Sequence, residues 1–219
     1  MFVYKWMSKK VITVDENDSI SYASNLLKEN NIRRLPVLKE DKLIGIVSDR
    51  DIRSASPSKV TSLDIWELHY LMSKVKVKEI MTKKIITISP ESTIEKAAIM
   101  MHDNKIGGLP VVDSKKKLVG IITEHDVFAA LINITGARIA AYRINLIIPD
   151  EPGSIKDVMD IMRKFKFKCV SILTSYVEMN NGFREVMIRF QTEEDELNKI
   201  LKALENVYSK IELTKDWFN

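Results

Sequence analysis

Residues 7–14 of the chain read MSKKVITV and residues 81–88 read MTKKIITI, so one pattern occurs twice. Further along, Leu35-Pro36-Val37 matches Leu109-Pro110-Val111 in the same register. After one inserted residue, the stretch GIVSDRD at 45–51 matches GIITEHD at 120–126. A match held over this many positions indicates an internal duplication, and this duplication decides the fold of the first part of the chain.

Each copy has the same order of predicted elements. A short β-branched strand, at 11–14 in the first copy and 85–88 in the second, precedes a helix that opens at Asp18-Ser19 in the first copy and at Ser92-Thr93-Ile94-Glu95 in the second. Two strands joined by a polar turn follow, and then a second helix. The unit is therefore β-α-β-β-α. A unit of this length is marginally stable alone, so we expect the two copies to share a core.

The duplication divides the chain into segments of different character. Repeat 1 is assigned to 1–60, an inter-repeat helix to 61–76, repeat 2 to 77–135 and a further domain to 140–219. On the inter-repeat helix, the spacing predicts an inner face formed by Trp66, Tyr70 and Leu71.

A polar signature closes the last strand of each copy. It reads Gly45…Ser48…Asp51 in the first copy and Gly120…Thr123…Asp126 in the second. The hydroxyl falls where a strand ends and a helix begins, a place that suits a phosphate group. The carboxylate one turn later suits a ribose diol, as the acidic residue does in dinucleotide-binding folds. The signature therefore predicts nucleotide binding.

The same spacing also has a purely structural interpretation. Ser/Thr-x-x-Asp/Glu is the pattern of a helix capping box, and it occurs at Ser92…Glu95 and Ser154…Asp157 as well. Ligand binding is favoured by the context of the motifs at 48–51 and 123–126. Each follows a glycine and two β-branched residues, and the two lie at matching places in a duplication. At this stage both interpretations stay open.

Taken together, the Leu-Pro-Val and Gly-x-x-Ser/Thr-x-x-Asp motifs and the leading Thr13 and Thr87 resemble a tandem pair of CBS domains over roughly residues 1–135. The resemblance implies a disc-like module with adenosine-nucleotide clefts between the copies. It implies Ser48 and Thr123 near phosphate, Asp51 and Asp126 on ribose, and base pockets lined by the backbone around 34–36 and 108–110. The implied nucleotide-binding set is Thr13, Arg34, Pro36, Ser48, Asp51, Thr87, Gly108, Pro110, Thr123 and Asp126.

The resemblance names AMP, ADP or ATP as the regulatory ligand, ahead of S-adenosylmethionine and NAD. Arg33 and Arg34 either neutralise its phosphate or are solvated side chains. Which adenosine compound binds, and whether one cleft or both are filled, stays open.

The last third of the chain predicts the order βαββαβ, a ferredoxin-like arrangement. Its first turn, Asp150-Glu151-Pro152-Gly153-Ser154, resembles the ligand loop of an ACT domain over about 140–219. That resemblance implies an amino-acid carboxylate bound by Asp150, Gly153 and Ser154. Alternatively, Pro-Gly only separates a strand from a helix, or the domain only mediates pairing.

Composition and motifs argue against several classes of protein. The 219 residues are 45% apolar, carry a net charge of +4 without a concentrated basic stripe, and include no long apolar segment, so we expect neither nucleic acid nor membrane as a partner. The three histidines lack metal-ligand spacing, and no phosphate loop or nucleophile elbow occurs, so we expect no metal site and no catalysis. The single Cys169 indicates a cytoplasmic protein and is expected to be a small buried hydrophobe.

The leading hypothesis is a non-catalytic regulatory protein that senses an adenine nucleotide. The order CBS, CBS, ACT is similar to a family of bacterial accessory proteins of acetoin utilisation, which implies a role in acetoin or butanediol metabolism. Implied partners are a second copy of the chain, a small amino acid and a metabolic enzyme. The alternatives are a nucleotide-independent dimeric scaffold, in which the motifs are only helix caps, and an amino-acid sensor acting through the ACT domain.

Overall fold

The computed structural model describes residues 1–56, 65–176 and 182–216. The chain divides into two compact units, Met1–Phe128 and Ala129–Asn219. Each unit has its own sheets and core, and the mixed α+β class agrees with the sequence-based prediction.

The first repeat has the predicted β-α-β-β-α order. Its elements are β1 (Val14–Asp15), α1 (Ile20–Glu29), β2 (Arg34–Lys39), β3 (Lys42–Ser48) and α2 (Asp49–Ala55). β1 runs parallel to β2, and β3 pairs antiparallel with β2. Helix α1 begins where predicted, because the Ser19 hydroxyl accepts a hydrogen bond from Tyr22 N–H at 3.2 Å. Val14, Leu35, Val37 and Val47 form the centre of its core.

Two helices lie between the repeats, α3 (Ile65–Lys74) and α4 (Val77–Ile80). The predicted inner face of α3 is wrong: Tyr70 is 62% exposed and Leu71 is 42% exposed. Met72 packs against the core of the first repeat instead, so the inward face of the helix is rotated from the predicted one. The side chain of Trp66 lies outside the described residues.

The second repeat contains α5 (Ile94–Asn104), β4 (Gly108–Val112), β5 (Leu118–Thr123) and α6 (Glu124–Thr135). Its leading strand is reduced to an isolated parallel bridge between Ile88 and Val111, the counterpart of the β1 pair Val14–Val37. The strands predicted at 11–14 and 85–88 are therefore too long. In the first copy, Val11 and Ile12 line a cavity instead of pairing with the sheet.

The segments that precede the two repeats are exchanged. Val3 N–H donates to Ser92 O at 2.8 Å, and Ser8 bridges to Ile121, so residues 1–8 complete the second repeat. In the same way Val77 N–H donates to Asp18 O at 2.9 Å, so residues 75–82 complete the first repeat.

The exchange explains the glycine in each polar signature. A Cβ at Gly120 would lie 2.6 Å from the sulfur of Met7, and a Cβ at Gly45 would overlap the sulfur of Met81. Each glycine therefore leaves room for a methionine of the exchanged segment.

The second unit has the predicted βαββαβ order. It comprises β6 (Ala141–Pro149), α7 (Ser154–Met162), β7 (Lys168–Ser175), β8 (Phe183–Gln191), α8 (Glu194–Glu205) and β9 (Ile211–Asp216). The sheet order β7-β8-β6-β9 is antiparallel throughout, as in a ferredoxin-like fold. Alternate residues of β6 and β8, among them Ile144 and Ile188, pack beneath the helices. No helix in the described ranges is long and apolar enough to span a bilayer.

Candidate functional site

The polar signature of the first repeat forms a reciprocal helix cap. Ser48 donates to Oδ2 of Asp51 twice, from its backbone N–H at 2.8 Å and from its hydroxyl at 2.6 Å. Asp51 N–H in turn donates to the Ser48 hydroxyl oxygen at 3.3 Å. The capping interpretation is confirmed for this copy, because the backbone N–H groups of Ser48 and Asp51, which have no partner within the helix, both donate to side-chain oxygens.

The second repeat has matching contacts. The backbone N–H of Thr123 donates to Asp126 Oδ2 at 2.7 Å, and its hydroxyl donates to the same oxygen at 2.8 Å. Both side chains are half-buried. The two signatures therefore fold alike, at the start of α2 and of α6.

Capping leaves half of each carboxylate available. All of these bonds go to Oδ2, and no described residue donates to Oδ1 of Asp51 or of Asp126. An ionised carboxylate accepts about four hydrogen bonds, so the cap and a ligand hydroxyl are compatible. The Ser48 and Thr123 hydroxyls already donate their protons to the carboxylates, so they must turn to donate to a phosphate.

Asp126 lines a cavity of about 500 Å³ inside the first unit. This volume is in the range of pockets that hold small molecules. The walls come from both repeats: Lys10, Val11, Ile12, Asn31, Ile32, Arg33 and Arg34 from the first copy, Gly107, Ile121, Thr123, Glu124, His125 and Asp126 from the second, and Ser8 from the exchanged segment that completes the second.

The cavity gathers three of the predicted nucleotide-binding residues: Arg34, Thr123 and Asp126. The others lie outside its lining. Ser48 and Asp51 stand at the matching junction of the first repeat, and Pro36, Gly108 and Pro110 are buried in strands β2 and β4. Thr13 and Thr87 are half-buried just before the first sheet pairings of their repeats.

Sequence reasoning missed Lys10, Gly107, Glu124 and His125 as lining residues. Glu124 and His125 lie inside the polar signature, between its hydroxyl and its aspartate. Lys10 belongs to the repeated lysine pair of MSKK and MTKK, which was a visible signal. Gly107 gave no signal, because its role depends on a side chain of the other repeat.

Cations outnumber carboxylates on the cavity wall. Lys10, Arg33 and Arg34 are basic, whereas Glu124 and Asp126 are acidic. Lys10 and Arg33 are exposed, while Arg34 is half-buried.

The charge of Arg34 is partly desolvated. Burial lowers the pKa of this guanidinium, Glu124 opposes the shift, and the cations of Arg33 and Arg50 add to it. Arginine stays protonated in proteins, so a desolvated positive charge faces the cavity.

Arg34 reaches across to the second repeat. A Cβ at Gly107 would overlap Nη2 of Arg34 and lie 2.6 Å from Oε2 of Glu124. The missing side chain of Gly107 thus provides the space in which an arginine of one copy and a glutamate of the other approach each other.

The predicted amino-acid loop of the second unit is a tight turn into α7. Gly153 has φ +98°, so the backbone itself requires glycine, and no atom lies within 4 Å of the place of its missing Cβ. The Ser154 hydroxyl donates to Glu151 O at 2.9 Å, and Asp150 Oδ1 lies 3.5 Å from Arg184 Nε. The turn is fully explained without a ligand, and amino-acid binding stays a prediction.

Two further sequence-based predictions concern reactive groups. Cys169 is exposed, so its prediction as a buried hydrophobe is wrong: it lies on β7, at the edge of the sheet. Partial burial nonetheless raises the pKa of the thiol, which disfavours the thiolate. Within the described ranges, no group of three or more His, Cys, Asp or Glu residues has the geometry to hold a metal ion.

Comparison with protein families agrees with the duplication. The model of the CBS domain matches residues 3–58 and 77–133, one match for each repeat. The chain belongs to the CBS-domain family. A CBS domain-containing protein of Dictyostelium discoideum is 34% identical over 135 residues, which cover 61% of this chain and 93% of that protein. Other curated relatives are long enzymes: the chain covers 22% of an inosine-5′-monophosphate dehydrogenase of Korarchaeum cryptofilum.

Solved structures share the CBS pair. The CBS domain pair of protein MJ0100, in complex with 5′-methylthioadenosine and S-adenosylmethionine, is 32% identical with a TM-score of 0.50, over 60% of this chain and 99% of that one. CBSX2 in complex with AMP is 31% identical with a TM-score of 0.50, over 61% and 98%. A protein assigned to acetoin utilization, AcuB of Vibrio cholerae, is 31% identical with a TM-score of 0.52, over 62% and 93%.

Proposed function

We propose that this CBS-domain protein is a non-catalytic regulator that binds an adenine nucleotide in the cavity between its two repeats. One observation carries the proposal: Asp126, with an oxygen free of any described hydrogen bond, lines the same cavity as three cationic side chains. A nucleotide presents the complementary groups, a diol that donates hydrogen bonds and a phosphate that attracts cations. Solved CBS pairs carry AMP in one case and adenosine sulfur compounds in another.

In this proposal Asp126 accepts from the ribose through Oδ1 while Oδ2 keeps the start of α6 in place. Thr123 lies beside the phosphate. Ser48 and Asp51 have the same geometry at the start of α2, so they are proposed to serve a second, equivalent cleft.

The site residues contain no pair of groups arranged for acid–base or nucleophilic chemistry, since Asp126 is held in a cap. We therefore propose a regulatory rather than a catalytic role, although some relatives are enzymes with CBS domains. The likeness to AcuB supports a link to acetoin metabolism. A metabolic enzyme is the proposed partner. The second unit is proposed to be an ACT domain, with Asp150, Gly153 and Ser154 as its amino-acid site.

We further propose that the protein works in the cytoplasm as a homodimer. Two apolar side chains of α6 support pairing, since Phe128 is 61% exposed and Leu131 is 53% exposed.

The second candidate function is a scaffold that binds no nucleotide. It is favoured by the complete helix cap at Ser48 and by the two bonds that Thr123 donates to Asp126, which would explain both signatures without a ligand. Regulator and scaffold make opposite predictions for ligand binding.

Thermal unfolding with and without AMP, ADP or ATP separates the two candidates. At a ligand concentration of about 100 times Kd, one occupied site adds about 2.7 kcal/mol to the stability of the protein, so Tm should rise. The double variant Asp51→Asn, Asp126→Asn should lose the rise. A Tm that no adenosine compound changes would favour the scaffold.

A further inference from the structure

The two repeats carry different residues at two consecutive equivalent positions. Asp49 N–H donates to Arg33 O, and Glu124 N–H donates to Gly107 O, so Arg33 and Gly107 are equivalent. Likewise, Arg34 pairs with Ser48 across one hairpin and Gly108 pairs with Thr123 across the other. The first copy thus carries two arginines where the second carries two glycines.

This difference breaks the chemical symmetry of the duplication. The cavity at Asp126 receives both arginines and Lys10 on its wall. Arg34 is half-buried, and its guanidinium lies against Gly107, beside the carboxylate of Glu124.

A partly buried guanidinium has lost part of its hydration, so it favours ligands that supply an anionic group to pair with it and disfavours ligands that do not. A phosphate gives it charge-assisted and bidentate hydrogen bonds. The thioether of 5′-methylthioadenosine gives it no anion. S-adenosylmethionine does carry a carboxylate, but this group lies beyond the sulfonium and beside an ammonium, so two positive charges accompany it, and like charges near the guanidinium cost free energy in a site of low polarity. Selectivity is a difference between two affinities, so it depends on how weakly the rejected ligand binds as well as on how tightly the accepted ligand binds.

We propose that the cavity at Asp126 selects adenosine compounds that carry a phosphate over 5′-methylthioadenosine and S-adenosylmethionine, and that Arg34 is the residue that sets this preference. The inference rests on the proposed function, because it takes an adenosine ligand as given. It adds which class of adenosine ligand this chain accepts and which side chain decides.

Calorimetric titration of the full chain with AMP, 5′-methylthioadenosine and S-adenosylmethionine tests the proposal. We expect AMP to bind at least about tenfold more tightly than either sulfur compound. Arg34→Ala should remove most of this preference by weakening AMP while leaving 5′-methylthioadenosine unchanged. Lys115→Ala is the matched control, since it removes one positive charge from an exposed turn and should keep the preference.

A second variant replaces no charged residue. Gly107→Ala puts a methyl group where the Arg34 guanidinium lies, so it should displace that side chain and lower the ratio of the AMP and 5′-methylthioadenosine affinities. Because the measured quantity is a ratio, a general loss of fit at the cavity does not imitate the effect. Asp126→Asn identifies the binding event that belongs to this cavity.

The outcomes separate the two proposals. Sulfur compounds that bind as tightly as AMP, or an Arg34→Ala variant that keeps the wild-type ratio, would overturn the selectivity and leave the nucleotide-binding proposal standing. If no adenosine compound binds, the proposed function itself is wrong.

Discussion

At the scale of single residues, Asp51 and Asp126 combine two roles that sequence reasoning treated as alternatives. Each carboxylate gives Oδ2 to its own helix start and keeps Oδ1 free of described hydrogen bonds. The cap therefore fixes the rotamer of the aspartate before any ligand arrives. A side chain held in this way loses little conformational entropy when a ribose hydroxyl binds to it.

Cys169 gives a prediction about pH at the same scale. Burial raises the pKa of this thiol although part of the side chain is exposed. Only the thiolate reacts with iodoacetamide, so alkylation of the native protein should accelerate at a higher pH than alkylation of the same cysteine in urea. The measurement is the alkylation rate against pH, with the unfolded chain as control. A native midpoint at or below the unfolded one would contradict the predicted direction.

At the scale of elements, the exchanged segments are the main feature of the CBS pair. Residues 1–8 complete the second repeat, and residues 75–82 complete the first. Met7 and Met81 occupy the space above Gly120 and Gly45. Each repeat therefore depends on a segment that the sequence alignment of the copies assigns to the other.

A double-mutant cycle tests this exchange. Gly120→Ala should destabilise the protein by about 1–3 kcal/mol, because the new methyl group meets the Met7 side chain. In a Met7→Ala background the same change should cost less, since its neighbour is gone. Urea unfolding of the wild type and the three variants gives the coupling free energy.

The duplication also supplies the control for that cycle. Gly45 faces Met81, so Gly45→Ala should cost the same with Met7 present or replaced by alanine. Additive effects of Met7→Ala and Gly120→Ala would contradict the exchange. Coupling of Met7→Ala to Gly45→Ala would contradict it as well.

Local patterns predicted most of the elements. The order β-α-β-β-α and the later βαββαβ order follow from periodicity and from start signals such as Ser19 and Thr93, which the structure places at helix caps. The strand predicted at 11–14 is too long, because Val11 and Ile12 lie on a cavity wall. The inner face predicted for α3 is wrong, because Met72 of this helix packs against the core of the first repeat while Tyr70 and Leu71 are exposed.

The site was predictable only in part. Thr123 and Asp126 lie in a local motif, and the motif shows in the sequence. Gly107 lies beside Arg34, which is distant in the chain, so no local pattern reports it, and the approach of Glu124 to the same guanidinium is not visible in the signature that contains it. Reasoning from sequence finds groups that act alone more easily than groups that act through a neighbour in space.

At the scale of the whole molecule, family membership and proposed function concern the first unit. The CBS matches end at residue 133, and the cavity lies within Met1–Phe128. In this chain a ferredoxin-like unit follows, whereas several relatives are much longer enzymes, and the chain covers only 22% of one of them. The same kind of CBS pair thus occurs with different neighbouring domains, which supports treating it as a regulatory module.

The most direct test of the account compares AMP with 2′,3′-dideoxy-AMP, which lacks both ribose hydroxyls, by calorimetric titration of the wild type and of Asp126→Asn. The account predicts that the dideoxy compound binds at least about tenfold more weakly to the wild type, because it cannot donate to the carboxylate. In Asp126→Asn the gap between the two compounds should shrink. Equal binding of both compounds to the wild-type protein, or an undiminished gap in the variant, would contradict the claim that Asp126 holds the ribose.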